Sequence, residues 1–286
     1  MSLNTLVSLI ISVILPLSAS AQIFDGSTNT QIELNQVIEQ IHPGQILVIG
    51  ELHGLKPIHD QQMSILKALR ERGLKIAVGM EFFNYTDQAL VNEFRSGSLL
   101  EEDFKKAINW GGNDFSLYGP QLLFGEAGFG INIPRSVTTQ ISKNGLASLT
   151  LEQQLLMPPN FTLGNEGYKR RFFDVMGGHV PPEKFINYFT AQSTWDETMA
   201  WQALNFVEKN PEYVYVIIVG EFHVAYGGGL PDRLRQRIER LNCRLPLEVK
   251  TISQIYTEGM TSEEILKEIA PSELDGARAD FIFLSK

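Results

Sequence analysis

Short apolar runs alternate with amphipathic stretches along the first half of the chain. Residues 46–50 and 75–80 form brief apolar runs, which predict two buried strands. Apolar positions at helical spacing predict a helix over 63–72, which Gly73 can cap. We also expect helices near 31–41, at 86–94, 100–108 and 119–127, and a third strand at 128–133. This alternation is typical of an α/β fold with a parallel sheet and right-handed crossovers.

The pattern changes between residues 136 and 210, where helical stretches are separated by proline and glycine pairs and no strand is indicated. We therefore expect an α-helical insertion at about 136–210. The α/β alternation then returns, with strands at 213–220, 247–252 and 280–284 and helices at 231–241 and 263–269. The predicted fold class is α/β, with a mostly parallel central sheet flanked by helices, in a single domain over residues 22–286.

The N-terminus has the pattern of an export signal. An apolar run at residues 6–17 precedes Ala19-Ser20-Ala21, which fits the small-x-small rule of signal peptidase. We expect residues 1–21 to be a signal peptide that is cleaved before Gln22. The run is short for a membrane span, although an uncleaved anchor is the alternative because no basic residue precedes Lys56. The expected location is the periplasm or cell envelope, with no stable membrane span after cleavage.

Composition narrows the possible functions. The 286 residues carry 33 acidic and 24 basic side chains, a net charge of −9, which disfavours nucleic-acid binding because phosphate recognition needs a basic face. The single cysteine, Cys243, allows neither an internal disulfide nor a Cys-rich zinc site. It also lies far from the processing site, so a lipoprotein is excluded. Imidazole chemistry must use the five histidines, which are His42, His53, His59, His179 and His223.

One motif occurs twice, each time directly after a predicted strand. Gly50-Glu51-Leu52-His53 follows the first strand, and Gly220-Glu221-Phe222-His223 follows the strand at 213–220. Ligands of open α/β sheets bind beyond the carboxyl ends of the strands, so both motifs should lie at the functional edge. Glu81 directly follows the second predicted strand, and Asn132 and Arg135 lie at and just past the end of the third.

These side chains fit two kinds of chemistry. His53, His223 and Glu81 could ligate a divalent metal ion, or Glu51, Glu81 and Glu221 could work with the two histidines as catalytic acids and bases. The structural alternative is that each motif is a turn whose carboxylate caps a helix. The spacing is not His-Glu-x-x-His, and the patterns of a nucleotide P-loop and of a Gly-x-Ser-x-Gly serine hydrolase are absent.

Three further stretches could contribute to binding. Tyr226 lies three residues after His223 and could face the same pocket. Residues 168–173 mix basic and aromatic side chains. The basic groups could pair with propionates or another anion while the aromatic groups cover a flat ring. The alternative is an amphipathic helix with a solvated basic face. The stretch from Trp195 to Trp201 has helical spacing, which favours core packing over cofactor contact, and His179 has the setting of a loop residue.

The chain resembles ChaN-like proteins of the haem-binding uptake, Tiki superfamily. The resemblance runs from about residue 45 to 240 and rests on motifs in the family's order, which are Gly50-Glu-Leu-His53, Glu81-Phe, Tyr118-Gly-Pro120, Asn132-x-Pro-Arg135, Ala191-Gln-x-x-Trp195-Asp-x-x-Met199-Ala200 and Gly220-Glu-Phe-His223 with Tyr226-Gly-x-Gly-x-Pro231. It implies an envelope protein that takes part in haem or iron uptake and can dimerise around haem with a tyrosine ligand. Tiki relatives imply the alternative, metal-dependent hydrolysis, with residues matching His53, His223 and Glu81.

We therefore expect an exported protein that binds haem, or another small anionic ligand, with a possible homodimer around it. Tyr226 is the first choice of haem-binding residue, followed by His179 and Tyr118, with Arg135 supplying positive charge. The alternative is a protease or esterase that depends on a divalent metal ion and uses the paired Gly-Glu-x-His motifs.

Overall fold

Eight strands form one sheet in the order β2-β1-β8-β7-β3-β6-β4-β5. The fold is taken from a computed structural model that describes residues 22–176, 178–240 and 247–286, so the predicted signal peptide and Cys243 lie outside the described residues. The strands are β1 Ile23–Asp25, β2 Gln31–Ile32, β3 Ile46–Glu51, β4 Lys75–Asn84, β5 Ala127–Asn132, β6 Tyr213–Gly220, β7 Val249–Tyr256 and β8 Phe281–Ser285.

The described helices lie between these strands in the chain. They are α1 Leu34–Glu39, α2 Lys56–Glu71, α3 Gln88–Arg95, α4 Glu101–Ala107, α5 Gly119–Phe124, α6 Arg135–Asn144, α7 Leu151–Leu155, α8 Glu166–Met176, α9 Phe185–Val207, α10 Leu230–Arg240 and α11 Ser262–Ile269. None of the described helices is long and apolar enough to cross a membrane.

The sheet is parallel from β8 to β5, and only the short hairpin β1–β2 runs antiparallel to its neighbours. This confirms the predicted α/β fold with a mostly parallel sheet. Since β3, β6 and β4 are consecutive in the sheet, their carboxyl ends lie side by side at one edge. The two Gly-Glu-x-His motifs and Glu81 are thereby brought together.

Both faces of the sheet are covered, which explains why the central strands are apolar without alternation. Leu47 and Ile49 point to one face and pack with residues of α1 to α5. Ile46 and Val48 point to the other face and pack with Met199 and neighbouring residues of α9 and α10. Successive side chains of a strand alternate between faces, so each central strand fills two cores at once.

The structure differs from the sequence expectations in four places. Strand β4 continues to Asn84, with an irregular register after Met80, so Glu81 lies inside the strand and not after it. Helix α2 begins at Lys56, because Pro57 fits its first turn, and the hairpin β1–β2 was not predicted. The stretch 136–210 is helical as predicted, but the C-terminal half of α9 belongs to a layer of the sheet.

Candidate functional site

The two Gly-Glu-x-His motifs interlock across the adjacent strands β3 and β6. A Cβ atom at Gly50 would lie 2.2 Å from Oε2 of Glu221, and a Cβ atom at Gly220 would lie 3.0 Å from Cε1 of His53. Each glycine therefore leaves the space that a side chain of the other motif occupies. The motif needs glycine at its first position for this close approach, which a larger residue would block.

His53 lies between two carboxylates. Its Nδ1 is 3.0 Å from Oε1 of Glu51, and its Nε2 is 3.3 Å from Oε1 of Glu81. The hydrogen bond to Glu51 raises the pKa of His53, and the charges of Glu81 and Glu51 add to this against the opposing effect of burial. These carboxylates therefore stabilise the imidazolium form relative to that of a free histidine, and 46% of the side chain remains exposed toward solvent.

His223 has a matching environment made from different elements. Its Nδ1 is 2.7 Å from Oδ1 of Asp196 on α9, and its Nε2 is 3.6 Å from Oε2 of Glu81. Burial disfavours the charged imidazole, but the charge and hydrogen bond of Asp196, together with Glu81, outweigh it and raise the pKa of His223. Glu81 thus joins the two histidines, with one oxygen directed to each.

Glu81 is the shared carboxylate of the site. Burial raises the pKa of Glu81, while the two nearby histidines act in the opposite direction. Each imidazole therefore turns Nδ1 to a carboxylate of its own and Nε2 to a carboxylate held in common. An imidazole oriented in this way by a carboxylate can exchange protons with a bound molecule.

Glu51 and Glu221 have different surroundings although they occupy matching positions in the motif. Glu51 accepts a hydrogen bond of 2.6 Å from the amide of Gln62 and faces the histidine. Glu221 instead accepts hydrogen bonds from Ser253 at 2.6 Å and from Arg278 at 2.9 Å. Burial raises the pKa of Glu221, and Arg278 opposes this. Glu221 is therefore a buried ion-pair partner and not a third member of the histidine cluster.

A cavity of about 570 Å³ opens beside the two histidines. Its apolar wall is supplied mainly by α8, α9 and the second motif, and includes Phe172, Val175, Met176, Tyr188, Trp195 and Phe222. Arg135, Thr138 and Thr139 of α6 add a polar side. Among the described residues, the Arg135 guanidinium and the Tyr188 hydroxyl have no hydrogen bond or ion pair within the chain. The cavity combines aromatic surface with the Arg135 guanidinium, which no described side chain pairs.

The other predicted binding residues lie outside this cavity. Tyr226 lines a second depression of about 360 Å³, between the guanidiniums of Arg171 and Arg278 at 5.3 and 5.9 Å from its ring. This placement differs from the expectation that Tyr226 faces the same pocket as His223. His179 is exposed in the turn that follows α8. The Tyr118 side chain is fully buried, and its hydroxyl accepts a hydrogen bond of 2.9 Å from the N–H of Gly54.

The basic stretch at 168–173 is only partly directed to the cavity. Phe172 lines the cavity, whereas Arg170 and Arg171 both pair with Asp275 at 2.6 Å. The arginines of this stretch therefore anchor α8 to the segment before β8.

Comparison with known proteins agrees with the motif order. The profile of the family described as haem-binding uptake, Tiki superfamily, ChaN matches residues 37–234. The chain belongs to this family. A comparison with curated protein sequences found no match.

Solved structures extend the likeness of this ChaN-family protein to the whole fold. One, described as cofacial heme binding to ChaN of Campylobacter jejuni, has a TM-score of 0.64 at 18% identity and covers 93% of this chain and 97% of that chain. A mutant erythromycin esterase in its open conformation has a TM-score of 0.50 at 13% identity, covering 89% of this chain and 94% of that one. At these identities the likenesses concern the fold.

Four residues of α9 belong to the site of the ChaN-family protein. Gln192, Trp195 and Asp196 lie in the family motif Ala191-Gln-x-x-Trp195-Asp but were given no role in the site, and Tyr188 was not noted. Asp196 contacts His223, Gln192 lies 3.2 Å from the same ring, and Tyr188 and Trp195 line the cavity. The spacing of this stretch favoured core packing, which holds for Met199 but not for the cavity side. The available signal was the pair Gln192 and Asp196, two polar residues four positions apart on a helix that is otherwise buried.

The metal alternative gains no support. His53, His223 and Glu81 converge as the sequence predicted, but within residues 22–176, 178–240 and 247–286 no group of three or more His, Cys, Asp or Glu is arranged to hold a metal ion. In this chain the Nε2 atoms of His53 and His223 instead face the Glu81 carboxylate.

Proposed function

We propose that this ChaN-family protein binds haem in the cavity beside His53 and His223. The observation that carries the proposal is an aromatic-walled cavity of about 570 Å³ that includes a guanidinium with no partner among the described residues, in a chain whose family is described as haem-binding. The solved relative from Campylobacter jejuni is described as binding heme cofacially. Cavities of this size are typical of cofactor sites.

The residues of the cavity fit the two parts of a haem molecule. Phe172, Trp195 and Phe222 offer apolar surface for a flat ring. Arg135, free of any partner in the described chain, suits a propionate, because its planar guanidinium binds carboxylates in a bidentate manner. When bound, haem would supply its iron and its ring, while these side chains bind and orient it.

Tyr188 becomes the first candidate for an iron ligand. A tyrosine phenolate is a known axial ligand of haem iron, and Tyr188 lines the cavity with a hydroxyl that no described residue engages. Tyr118 is less suited because its hydroxyl is already bonded and buried. Tyr226 lines the second depression, and His179 lies in an exposed turn outside the cavity lining.

Titration of the purified apo-protein with hemin tests this proposal. We expect a Soret shift at micromolar protein, a changed spectrum for Tyr188→Phe and an unchanged spectrum for the matched variant Tyr226→Phe. A wild-type protein that produces no Soret shift contradicts haem binding. A Tyr188→Phe spectrum identical to that of the wild type contradicts only the ligand assignment.

We further propose that the protein is exported to the periplasm or cell envelope, serves haem or iron uptake, and can form a homodimer around its ligand. The family description and the apolar N-terminal run support this proposal. The mass of the mature N-terminus and cell fractionation test export. Sedimentation with and without hemin tests dimerisation, and a monomer under both conditions contradicts it.

Hydrolysis is a second candidate for the same site. It is favoured by the two carboxylate-oriented imidazoles, Glu51–His53 and Asp196–His223, on either side of Glu81. In this function one histidine would take a proton from water attacking an ester. Hydrolysis of apolar p-nitrophenyl esters by the wild type, but not by His223→Gln, is the expected result. Equal turnover by both proteins contradicts it.

A further inference from the structure

The two histidines of the site are oriented alike, but only one of the orienting carboxylates belongs to a repeated motif. Glu51, two residues before His53, faces its Nδ1. The corresponding residue of the second motif, Glu221, is engaged by Ser253 and Arg278. The carboxylate that faces Nδ1 of His223 comes instead from α9, in a different part of the chain, and is Asp196.

Asp196 is a charged residue at a buried position. Its side chain is 1% exposed, and its Oδ1 lies 2.7 Å from Nδ1 of His223. Its Oδ2 has no hydrogen-bond partner among the described residues. A carboxylate buried with an unpaired oxygen opposes folding, so its position on the helix calls for a role that core packing does not supply.

The surroundings of Asp196 direct its charge to the histidine. Helix α9 also supplies Gln192, whose amide donates to the Tyr168 hydroxyl at 2.8 Å and lies 3.2 Å from Nδ1 of His223. Tyr168 of α8 is fully buried. Burial, followed by the negative charge of Asp196, raises the pKa of Tyr168, so its phenol stays neutral. The described cationic partner of Asp196 is therefore His223 alone.

We propose that Asp196 is the positioning residue of His223, replacing in the second motif the role that Glu51 has in the first. Asp196 accepts the Nδ1–H of His223 and so fixes its tautomer, which turns Nε2 toward Glu81 and the cavity. Asp196 does not itself line the cavity. It acts through His223, whichever ligand the cavity holds, so the inference does not depend on haem binding.

Nuclear magnetic resonance of the imidazole nitrogens tests the proposal on the ligand-free protein. The groups that face His223 are Glu81 of β4, Asp196 and the Gln192 amide of α9, and the Trp195 ring, whose centroid lies 6.3 Å from that of the imidazole. In the wild type we expect a hydrogen on Nδ1 of His223 with a strongly downfield proton signal. In Asp196→Asn this signal should be lost and the His223 nitrogen shifts should change, while those of His53 stay the same.

The matched control is Glu51→Gln, which should produce the mirror image by altering His53 and leaving His223 unchanged. A purely structural role for Asp196 would lower thermal stability without moving the tautomer signal. The inference is overturned if wild-type His223 carries no hydrogen on Nδ1, a measurement that needs no variant. It is also overturned if Asp196→Asn leaves the His223 shifts unchanged or moves both histidines equally.

Discussion

At the residue scale, the site depends on glycines as much as on charged groups. The space beside each glycine of the paired motif is occupied by a side chain of the other motif. A Cβ atom at Gly50, for example, would lie 2.2 Å from Oε2 of Glu221. The glycine of each repeat therefore lets the ends of β3 and β6 pack closely against each other. His53 and His223 face one carboxylate because their strands pack this closely.

Substitution of Gly50 tests this packing. In Gly50→Ala the new methyl group must displace the Glu221 carboxylate from Arg278 and Ser253. We expect a loss of about 1–3 kcal/mol in the free energy of unfolding, as for other overpacked sites. Urea denaturation measures it, with Gly111→Ala as control because nothing lies within 4 Å of Gly111. Equal stability of the two variants would contradict the interlock.

The charge of His223 predicts a pH dependence of stability. The pKa of His223 is raised above 6.5 in the folded state, so its contribution is present in full below pH 6.5 and is lost as the pH rises through the folded pKa. The pKa of His59 is lowered by burial, so His59 acts below pH 6.5 instead. Urea denaturation from pH 6.5 upward should show a decline in wild-type stability that is shallower in His223→Gln. Parallel profiles would count against this account.

The sequence indicated the site residues that lie at the ends of strands. It did not indicate those that a helix brings to the strand ends by packing across the sheet. His53, His223 and Glu81 were predictable because each lies at or near the carboxyl end of an apolar run. Asp196 lies in a family motif, four positions after Gln192, but its contact with His223 was not predictable, because helical spacing shows that a helix has a buried side but not which strand end meets that side. Tyr226 was misplaced for a different reason, because the sequence did not indicate its left-handed backbone, with φ of 59°, and its side chain lines the second depression.

At the element scale, α9 connects the core, the site and the cavity. Tyr188 near its start lines the cavity, Asp196 at its middle holds His223, and Ala203 packs against the sheet. Residues 136–210, predicted as a helical insertion, contain most of α6 and the whole of α7, α8 and α9. The position of α9 in a layer of the sheet was not predictable, because α9 is buried over most of its length and shows no single apolar stripe.

A buried ion network fixes α9 against α10 and should be essential to stability. Glu197, 1% exposed, accepts hydrogen bonds from Arg237 Nε at 2.6 Å and from Thr162 at 2.7 Å, and lies 3.4 Å from Arg233. Glu197→Ala leaves the buried Arg237 without its carboxylate partner and Arg233 with Asp232 alone, which should cost about 3–5 kcal/mol in urea denaturation. The control Glu102→Ala breaks an exposed pair and should leave stability unchanged. A comparable loss in both variants would contradict this prediction.

Two arginines of α8, which forms part of the cavity wall, share one carboxylate. Asp275 binds both Arg170 and Arg171, each at 2.6 Å. In Asp275→Asn this anchor is weakened, so we expect faster amide hydrogen exchange in residues 166–176 and unchanged exchange in β6. The control Asp60→Asn removes an exposed pair with Lys56 and should leave α8 unaffected. Unchanged exchange in α8 of Asp275→Asn would show that apolar packing alone holds this wall.

At the scale of the whole molecule, the candidate site lies away from the edge of the sheet that the β1–β2 hairpin forms. The order β2-β1-β8-β7-β3-β6-β4-β5 places the site strands β3, β6 and β4 in one half and the antiparallel hairpin β1–β2 at the far edge. The parallel part of the sheet, from β8 to β5, follows from the alternation of strands and helices and was predictable. The hairpin was not, because β1 and β2 are only three and two residues long and lie in a polar segment.

Deletion of residues 22–32 tests this separation. Without the hairpin, β8 becomes an edge strand and exposes the backbone groups that now pair with β1. We expect a lower melting temperature and association that grows with protein concentration, both measured against the full chain at equal concentrations. The His53 and His223 nitrogen signals should remain those of the wild type, because no contact of either ring involves the hairpin. A changed histidine spectrum in the monomeric fraction would mean that the sheet transmits strain from its edge to the site.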